Sequence, residues 1–462
     1  MNNITLGLAP IGKFVFSHED AIKQKKSIQH KLRELNVNFI DLDGLLPECD
    51  GLIRDQSHVE PVFRHFNQKI DALFIPHCNF GTEGAAAMLT KRLGLPTLLW
   101  GPRDEAPMAD GSRLRDSLCG MLASSKVMRK MVGNKFTYVE NSYIDDDIFK
   151  DGLDVFLRAA AVVKAAKNMR IGLIGARIGF FWSCIVNESE LLEKFNVEVV
   201  HFEIATIVNR INEKARTNAG ELKQRLEKMK SEWLDPSGVP DDQLIRGIAA
   251  GDVLVELKDE HQLASIAVQN FFSFGEAMEG GGALYPVLAN EHVPLSDESD
   301  IHGAISSILL AAAKKDPSPV FFPEYVIRHP EDDNTVCMWH IGAPASLRDP
   351  KNGKLSIMPP WILPGDKPIY MQMKLKNGPL TVCRFDGDTG DYRLGVGQGE
   401  IIDGPYTRDY YGWFKVNDWR RWERQLMEGP YIHHCSAAYG HCADALIEAC
   451  KYLDIDVEVY GQ

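Results

Sequence analysis

Apolar and polar positions follow two different patterns along the chain, and the pattern changes near residue 316. Before that point, short apolar runs alternate with longer segments of helical periodicity. This alternation predicts parallel sheets covered by helices on both faces. After that point, Gly, Pro and Asp turns separate short apolar runs, which predicts antiparallel strands. The predicted fold class is therefore α/β, with two doubly wound α/β domains, 1–167 and 168–315, followed by a β-rich, barrel-like domain, 316–462.

Individual elements follow from the same pattern. In the first domain we predict strands at Ile4–Leu8, Asn38–Leu42, Asp71–Pro76 and Pro96–Trp100. We predict helices there at Asp20–Leu35, Thr82–Leu93 and Asp147–Lys167. In the second we predict a strand from Arg170, a strand at Leu263–Val268 and a helix at Ala304–Ala313. The third has predicted strands at Val320–Phe322, Thr335–His340, Ile369–Leu375, Leu380–Phe385 and Tyr392–Val396, then a helix at His441–Leu453 and a strand at Asp456–Val459.

Composition narrows the class of protein. The formal net charge of −13 disfavours a nucleic-acid partner, which calls for a basic face. The nine Cys residues contain no C-x-x-C pair, which is typical of reduced thiols. No apolar run approaches the roughly 18 residues of a membrane span, and no signal-peptide pattern is evident, so we expect a cytoplasmic protein with no membrane partner.

A glycine-containing turn follows the first strand of the second domain. Its glycines, at 172, 175 and 179, are spaced as G-x-x-G-x-x-x-G rather than G-x-G-x-x-G. A nicotinamide-dependent oxidoreductase would use such a turn for its cofactor, but the spacing favours an ordinary strand-to-helix turn. Paired α/β domains with a cleft are also typical of non-catalytic sugar-binding proteins, so a sugar-binding protein is a further hypothesis.

Acidic residues stand at another strand-to-helix junction, where Glu298, Ser299 and Asp300 precede an apolar helix. Asp300 has two interpretations. It can cap the helix by accepting a hydrogen bond from a free backbone N–H, or it can present its carboxylate to a cleft. Glu276 lies upstream, after the predicted strand Leu263–Val268.

Three histidines, His433, His434 and His441, lie close together near another strand. A single His is more often a hydrogen-bonded polar residue than a metal ligand. Because successive side chains of a strand face opposite sides, we expect only one of His433 and His434 to reach a bound ion.

These segments resemble the L-fucose isomerases and the related L-arabinose isomerases. Glu298-Ser299-Asp300 followed by Gly303-Ala304 is similar to the E-x-D motif of that family, and Glu276 precedes Asp300 by 24 positions, as the family's other metal-binding Glu does. The segment from His434 to His441, His-Cys-Ser-Ala-Ala-Tyr-Gly-His, resembles the family's H-G-A-x-x-Y-G-H. The segment 175–202 resembles the start of the family's second domain. The chain is shorter than a typical fucose isomerase.

The resemblance implies an aldose–ketose isomerase with an enediol mechanism and a divalent metal ion. It implies that Glu276, Asp300 and His434 bind the ion and that Glu276 and Asp300 also act as general base and acid. Two carboxylates and one imidazole suit Mn²⁺, with Mg²⁺ or Co²⁺ as alternatives. Such an ion would bind the carbonyl and the adjacent hydroxyl of the sugar.

The substrate is less sharply defined by the sequence. The family holds its sugar with a basic residue near the first strand, where this chain has Lys13. We expect Trp413 and His340 to contact the sugar, with core packing as the alternative for each. Arg103, Arg113 and Arg177 are candidates for binding an anion, so a sulfosugar such as sulfoquinovose joins deoxyhexoses and pentoses as candidate substrates. The resemblance also implies a homo-oligomer, a trimer or hexamer, with its active site near a subunit interface.

Overall fold

The computed structural model describes residues 4–167, 169–270, 273–359, 361 and 369–462. The chain forms two compact units, one of Met1–Lys164 with Asp444–Asp454 and the other of Ala165–Ala443 with Ile455–Gln462. The predicted division into three domains stays a prediction. Residues 1–3 and residue 168, with which the first two predicted domains begin, lie outside the described residues.

The first unit is built on a parallel sheet of strand order β2-β1-β3-β4-β5. Its strands are β1 Thr5–Leu8, β2 Asn38–Ile40, β3 Ala72–Pro76, β4 Thr97–Trp100 and β5 Thr137–Tyr138. Its helices are α1 His18–Glu34, α2 Val59–Phe66, α3 Glu83–Leu93, α4 Ser117–Val132 and α5 Asp147–Ala166. This order is the doubly wound arrangement that the sequence predicts.

Alternation along the strands places helices on both faces of this sheet. Leu8 and Phe74 belong to the core formed with α1 and α5. Leu73 and Ile75 belong to a separate core formed with α2, α3 and α4. Adjacent residues of β3 therefore face opposite layers, because strand side chains alternate.

The helix Ala443–Leu453 lies near the end of the chain, yet all but its first residue belongs to the first unit. Glu448 accepts a hydrogen bond from the Thr137 hydroxyl (2.7 Å), and Arg158 pairs with Asp444 at 3.0 Å. These contacts join segments that are about 300 positions apart, so the pattern of the sequence does not reveal them.

The second unit begins with another parallel sheet, of order β7-β6-β8-β9. Its strands are β6 Arg170–Ile174, β7 Glu198–Phe202, β8 Ser265–Val268 and β9 Leu295–Asp297. The helices of this region are α6 Glu188–Phe195, α7 Ile204–Thr217, α8 Ala219–Glu232, α9 Asp241–His261, α10 Ser273–Met278, α11 Tyr285–Ala289 and α12 Ile301–Ala313.

Helix α12 is buried along almost its whole length, with Ala311 alone only partly buried. One side packs on β8 and β9, and another packs on strands of the antiparallel sheet described next. A helix that is apolar all round is expected to be enclosed in this way. Its N-terminus therefore lies deep in the unit, and so do the residues that precede it.

In the described part of the chain, eight of the remaining strands form a mainly antiparallel sheet and two form a separate pair. In chain order they are β10 Glu324–Arg328, β11 Thr335–His340, β12 Ile357–Met358, β13 Tyr370–Met371, β14 Met373–Lys374, β15 Gly378–Asp388, β16 Asp391–Ile402, β17 Tyr410–Lys415, β18 Ser436–Tyr439 and β19 Asp456–Val459, with helix α13 at Trp419–Glu428. The main path runs β10-β11-β17-β16-β15-β18, β14 and β19 add to it in parallel, and β12 pairs separately with β13.

The two ends of this path also meet. Phe321 and Ala437 exchange backbone hydrogen bonds, at 3.0 and 2.9 Å, and the Tyr325 N–H donates to the His433 carbonyl at 3.1 Å. These bonds join the start of β10 to the segment before and within β18, so the sheet closes on itself. The mixed architecture, with parallel α/β sheets first and an antiparallel sheet later, confirms the predicted fold class.

Among the described residues, no helix is both long enough and apolar enough to cross a membrane.

Candidate active site

The site lies where the second parallel sheet ends, at the carboxyl end of β9. Glu298 and Ser299 follow this strand with φ angles of 61° and 60°, which is left-handed backbone that non-glycine residues seldom adopt. Each such residue stores on the order of 1 kcal/mol or more of strain, and strain of this kind clusters at functional sites. The Glu298 N–H donates to the Asn270 side chain (3.0 Å) and the Ser299 N–H to the Val268 carbonyl (3.1 Å), which hold the turn.

Asp300 is fully buried and caps helix α12, because its Oδ1 accepts a hydrogen bond from the Gly303 N–H at 2.9 Å. The Arg384 guanidinium also contacts both of its oxygens, with Nη2 3.2 Å from Oδ1 and Nη1 against Oδ2. Oδ2 further lies 3.1 Å from His434 Nδ1. Burial alone would raise the pKa of Asp300, but Arg384 and His434 outweigh it and hold the pKa far below its usual range.

Arg384 joins Asp300 to a second buried acid. Its Nε donates to Asp386 Oδ2 at 2.8 Å, and Asp386 Oδ1 lies 3.0 Å from His302 Nδ1. Only 1% of the Arg384 side chain is exposed. The Arg384 guanidinium therefore holds the Asp300 carboxylate, which contacts His434, and the Asp386 carboxylate holds the guanidinium in turn.

Closure of the antiparallel sheet brings Glu324, at the start of β10, against two histidines. Its Oε2 lies 3.3 Å from His433 Nε2 and 3.8 Å from His434 Nε2. The two rings do not face opposite sides, because His433 lies in a bend and His434 in an isolated bridge before β18 begins. Strand alternation therefore does not separate the two rings, and the expectation that only one of them reaches an ion stays a prediction. Burial raises the pKa of Glu324 above its ordinary value.

Glu298, His340 and His434 form a group whose ligand atoms lie within 4.8 Å of one another. His434 Nε2 is 3.3 Å from Glu298 Oε2, yet neither atom has a hydrogen-bond partner among the described residues. Both ring nitrogens of His340 also lack one, although Nδ1 is 3.0 Å from Asp297 Oδ2. Buried polar atoms without partners are rare in native proteins, so a group that converges in this way calls for a ligand.

The charge around this group points to a cation. Among the described residues, five carboxylates that are buried or mostly buried lie around this group, and Arg384 supplies the one guanidinium there. The five are Asp297, Glu298, Asp300, Glu324 and Asp386. Oxygen and imidazole ligands suit a divalent ion such as Mn²⁺. Cys184 Sγ belongs to a neighbouring group with Asp300 and His434, and burial raises the pKa of its thiol.

A cavity of about 500 Å³ adjoins the group. It lies at the carboxyl ends of β6 and β7 and is lined by Gly175, Arg177, Phe202 and others. Cys184, whose Sγ lies near ligand atoms of Asp300 and His434, lines the cavity, and so does Ser299, the residue before Asp300. The glycine-containing turn after β6 therefore lines this cavity. The sequence had offered two interpretations of this turn, a dinucleotide-binding turn and an ordinary strand-to-helix turn.

The residues that the sequence singles out are placed unequally. Asp300, His434 and His340 are brought together. Glu276 is exposed on α10, and it is in none of the metal-capable groups that the described residues form. The metal-binding and catalytic roles of Glu276 therefore stay a prediction to which the structure adds no contact.

Two other predicted residues already contact other parts of the protein, Trp413 in the core and Lys13 at a partly buried position. Trp413 is 2% exposed, lies against His329 and donates from Nε1 to the Pro405 carbonyl (2.7 Å). Lys13 belongs to the first unit, where its ammonium lies 4.9 Å from the centre of the Phe80 ring. Their roles in binding sugar also stay predictions.

The anion candidates differ in the same way. Arg113 pairs with Asp116 at 2.6 and 2.9 Å, and Arg103 lies over the Tyr143 ring, both within the first unit. Arg177 lines the cavity of the second unit.

Sequence reasoning missed Arg384, Glu324 and the ligand potential of Glu298. Glu298 had a usable signal, since it shares a short acidic turn with Asp300. Arg384 and Glu324 lie on ordinary strands, and only the pairing of the antiparallel sheet carries them to the site.

Two family models match the chain. The model of the fucose/sulfoquinovose isomerase N-terminal domain matches residues 7–167, and that of the L-fucose isomerase C-terminal domain matches residues 371–461. Together these ranges cover more than half of the chain.

Curated relatives match over longer stretches. A sulfoquinovose isomerase of Priestia aryabhattai is 25% identical over 480 aligned residues, which cover 100% of both chains. One of Priestia megaterium matches equally well. One of Alkalicoccus urumqiensis is 24% identical over 340 residues, 72% of this chain and 73% of its own.

A buried carboxylate–imidazole group beside a cavity, in a chain with both terminal domain types of these enzymes, defines an aldose–ketose isomerase. The chain belongs to the fucose isomerase family, as its acidic turn and its late histidine segment indicated.

Proposed function

We propose that the chain converts a sulfonated aldose of the sulfoquinovose type into its 2-ketose, with a divalent metal ion, Mn²⁺ in the first place, at the buried group. The observation that carries the metal is the convergence of Glu298, His340 and His434 on one point with their ligand atoms unpartnered. The relatives named above support the sulfosugar, because two of them align with the whole chain.

The ligand set that we propose is Glu298, His340 and His434. Asp300 orients His434 through its Nδ1, so that Nε2 faces the ion, which is a common arrangement for metal-binding histidines. When bound, the ion would stabilise negative charge that develops on O1 and O2 of the sugar. In the alternative ligand set, Glu276, Asp300 and His434, the first two bind the ion in place of Glu298 and His340.

Proton transfer requires a carboxylate that is not already saturated. Isomerisation takes a proton from C2 of the aldose and returns it to C1, while another proton passes between O2 and O1. Asp300 accepts from Arg384, Gly303 and His434, so its lone pairs are occupied. We assign the carbon proton to Glu324, whose side chain is 15% exposed at the edge of the group. In the alternative assignment, Glu276 and Asp300 act as base and acid.

A homo-oligomer, a trimer or hexamer, is part of the proposal. The loop beside the cavity exposes large apolar side chains, with Phe180 66% and Trp182 75% exposed. Exposed apolar patches next to a site are typical of interaction surfaces. We also expect the protein to act in the cytoplasm.

The decisive experiment is a substrate panel. Chelated protein is reloaded with Mn²⁺, Mg²⁺ or Co²⁺ and incubated with sulfoquinovose, L-fucose, L-arabinose and D-glucose, and ketose formation is followed by NMR. We expect metal-dependent turnover with sulfoquinovose above the others. Full activity after exhaustive chelation would reject the metal, and turnover restricted to unsulfonated sugars would reject the substrate. In D₂O, deuterium should appear at the reacting carbon, whereas complete retention of hydrogen would exclude the enediol.

A further inference from the structure

The cavity beside the buried group has an unequal distribution of charge. Its titratable lining residues are Arg177, Cys184, Glu188, His201 and Glu203. Glu188 Oε2 lies 3.0 Å from His201 Nε2, so this acid already has a partner. Glu203 is exposed and precedes helix α7, where the helix N-terminus accommodates its charge. Arg177 is the one Lys or Arg among the described lining residues.

Arg177 is held in place without being neutralised. Its Nη1 donates to the carbonyl oxygens of Ile178 (2.8 Å) and Phe181 (3.0 Å), with that of Gly179 at 3.4 Å. Its Nε and Nη2 have no partner among the described residues, and no described carboxylate lies within ion-pair distance. Arg384 provides the contrast, since all three of its nitrogens contact carboxylates. A fixed guanidinium with free N–H groups fits an oxyanion.

The position of Arg177 suits one end of an extended substrate. Three lining residues connect the cavity to the buried group: Cys184 has its Sγ near ligand atoms of Asp300 and His434, and Ser299 and Ile301 flank Asp300 in the chain. A sugar that presents C1 and C2 to the buried group would therefore extend the rest of its carbon chain into the cavity. Arg177 is partly buried, and partial burial strengthens the attraction of a cation for an anion relative to open water.

We infer that Arg177 binds the anionic end of the sugar, a tetrahedral oxyanion such as a sulfonate on the carbon farthest from C1. This inference rests on the proposed function and adds the residue that sets substrate specificity. A phosphate group offers the same oxygen geometry with more charge, so the two sources are separated by experiment.

The test compares Arg177→Gln with wild type on three sugars that share one carbon skeleton, namely sulfoquinovose, glucose 6-phosphate and glucose. Loss of a charged hydrogen bond should raise KM for the anionic substrate about 10- to 100-fold, with kcat nearly kept and any activity on glucose unchanged. Arg177→Lys should recover part of the affinity. A larger effect on sulfoquinovose than on the phosphate sugar assigns the site to sulfonate, and the reverse assigns it to phosphate.

Arg216→Gln is the matched control, because it removes an exposed Arg of helix α7 that does not line the cavity. Equal effects of Arg177→Gln and Arg216→Gln, or an unchanged KM in Arg177→Gln while wild type turns over sulfoquinovose, would overturn the inference and leave the proposed function intact.

Binding without turnover gives an independent measurement. Methanesulfonate and inorganic phosphate should each be tested for raising the melting temperature of wild type. An anion that stabilises wild type but not Arg177→Gln supports the site even if sulfoquinovose is not isomerised, in which case the proposed function alone fails. Equal stabilisation of both proteins by each anion would overturn the site.

Discussion

Replacing Arg384 with Met tests whether the buried ion network holds the site together. Arg384 is 1% exposed and supplies hydrogen bonds to both Asp300 and Asp386. Met has a similar length and no charge, so the change leaves the space filled and removes the cation. Two carboxylates that are buried beside each other then lose their common partner.

The expected loss of stability is large. Removing one partner of a buried ion pair typically costs about 3–5 kcal/mol, because the remaining charge stays buried without compensation. For domains of 150–250 residues, about 1 kcal/mol lowers Tm by 2–4 °C, so the expected fall in the melting temperature of the second unit is on the order of 10 °C.

Differential scanning calorimetry of the whole chain measures this fall. The control is Arg210→Met, since Arg210 also bridges two carboxylates, Glu256 and Glu260, but on the surface, with 32% of its side chain exposed. Surface pairs contribute about 0–1 kcal/mol, so the control should melt within about 3 °C of wild type. If Arg384→Met melts no lower than the control, the network is not what holds these acids.

A double mutant separates the two acids. Asp300→Asn together with Arg384→Met should be less destabilised than the sum of the single changes, because the neutral amide no longer requires the guanidinium. Additive losses would show that Arg384 acts chiefly through Asp386.

Three further predictions concern the metal, its ligands and pH. Exhaustive dialysis against EDTA should lower the melting temperature as well as abolish turnover, and Mn²⁺ should restore both; a chelated protein with unchanged melting would contradict a bound ion. Glu298→Gln should reduce kcat by orders of magnitude and weaken Mn²⁺ binding measured by calorimetry. Glu276→Gln should change neither quantity. The opposite pattern would favour the ligand set that contains Glu276. Burial lowers the pKa of His77 from 6.5 to about 4, so between these pH values the unfolded chain binds a proton at His77 and the folded chain does not. Up to about 3 kcal/mol of stability is therefore lost as pH falls from 6.5 towards 4. The melting temperature of His77→Gln should fall less over this range than that of wild type.

Local periodicity accounts for what the sequence predicted well. The helix expected at Thr82–Leu93 is Glu83–Leu93, and the strand expected at Asp456–Val459 has those bounds. Each depends on residues a few positions apart. Both interpretations of Asp300 were also available locally, and the structure gives it the cap while leaving it beside His434.

What the sequence did not predict depends on pairing between distant segments. Glu324 reaches His434 only because the first and last strands of the antiparallel sheet meet. Neither segment has a sequence pattern that predicts this pairing. Arg384 stands in a strand whose other residues are mostly apolar, where a charge is ordinarily expected to point outwards. Its burial goes with its pairing to Asp300, which stands between β9 of the second parallel sheet and helix α12.

The joining of residues 321–325 to residues 433–437 has a further consequence for how the protein is made. On the ribosome, β10 is synthesised long before the segment that covers it, and its free edge stays open to other chains during that interval. A nascent or shortened chain that stops before residue 433 lacks both the covering segment and His434. Such a chain would be prone to aggregate and would lack one of the proposed metal ligands, so the same late segment both covers the edge of β10 and completes the candidate site.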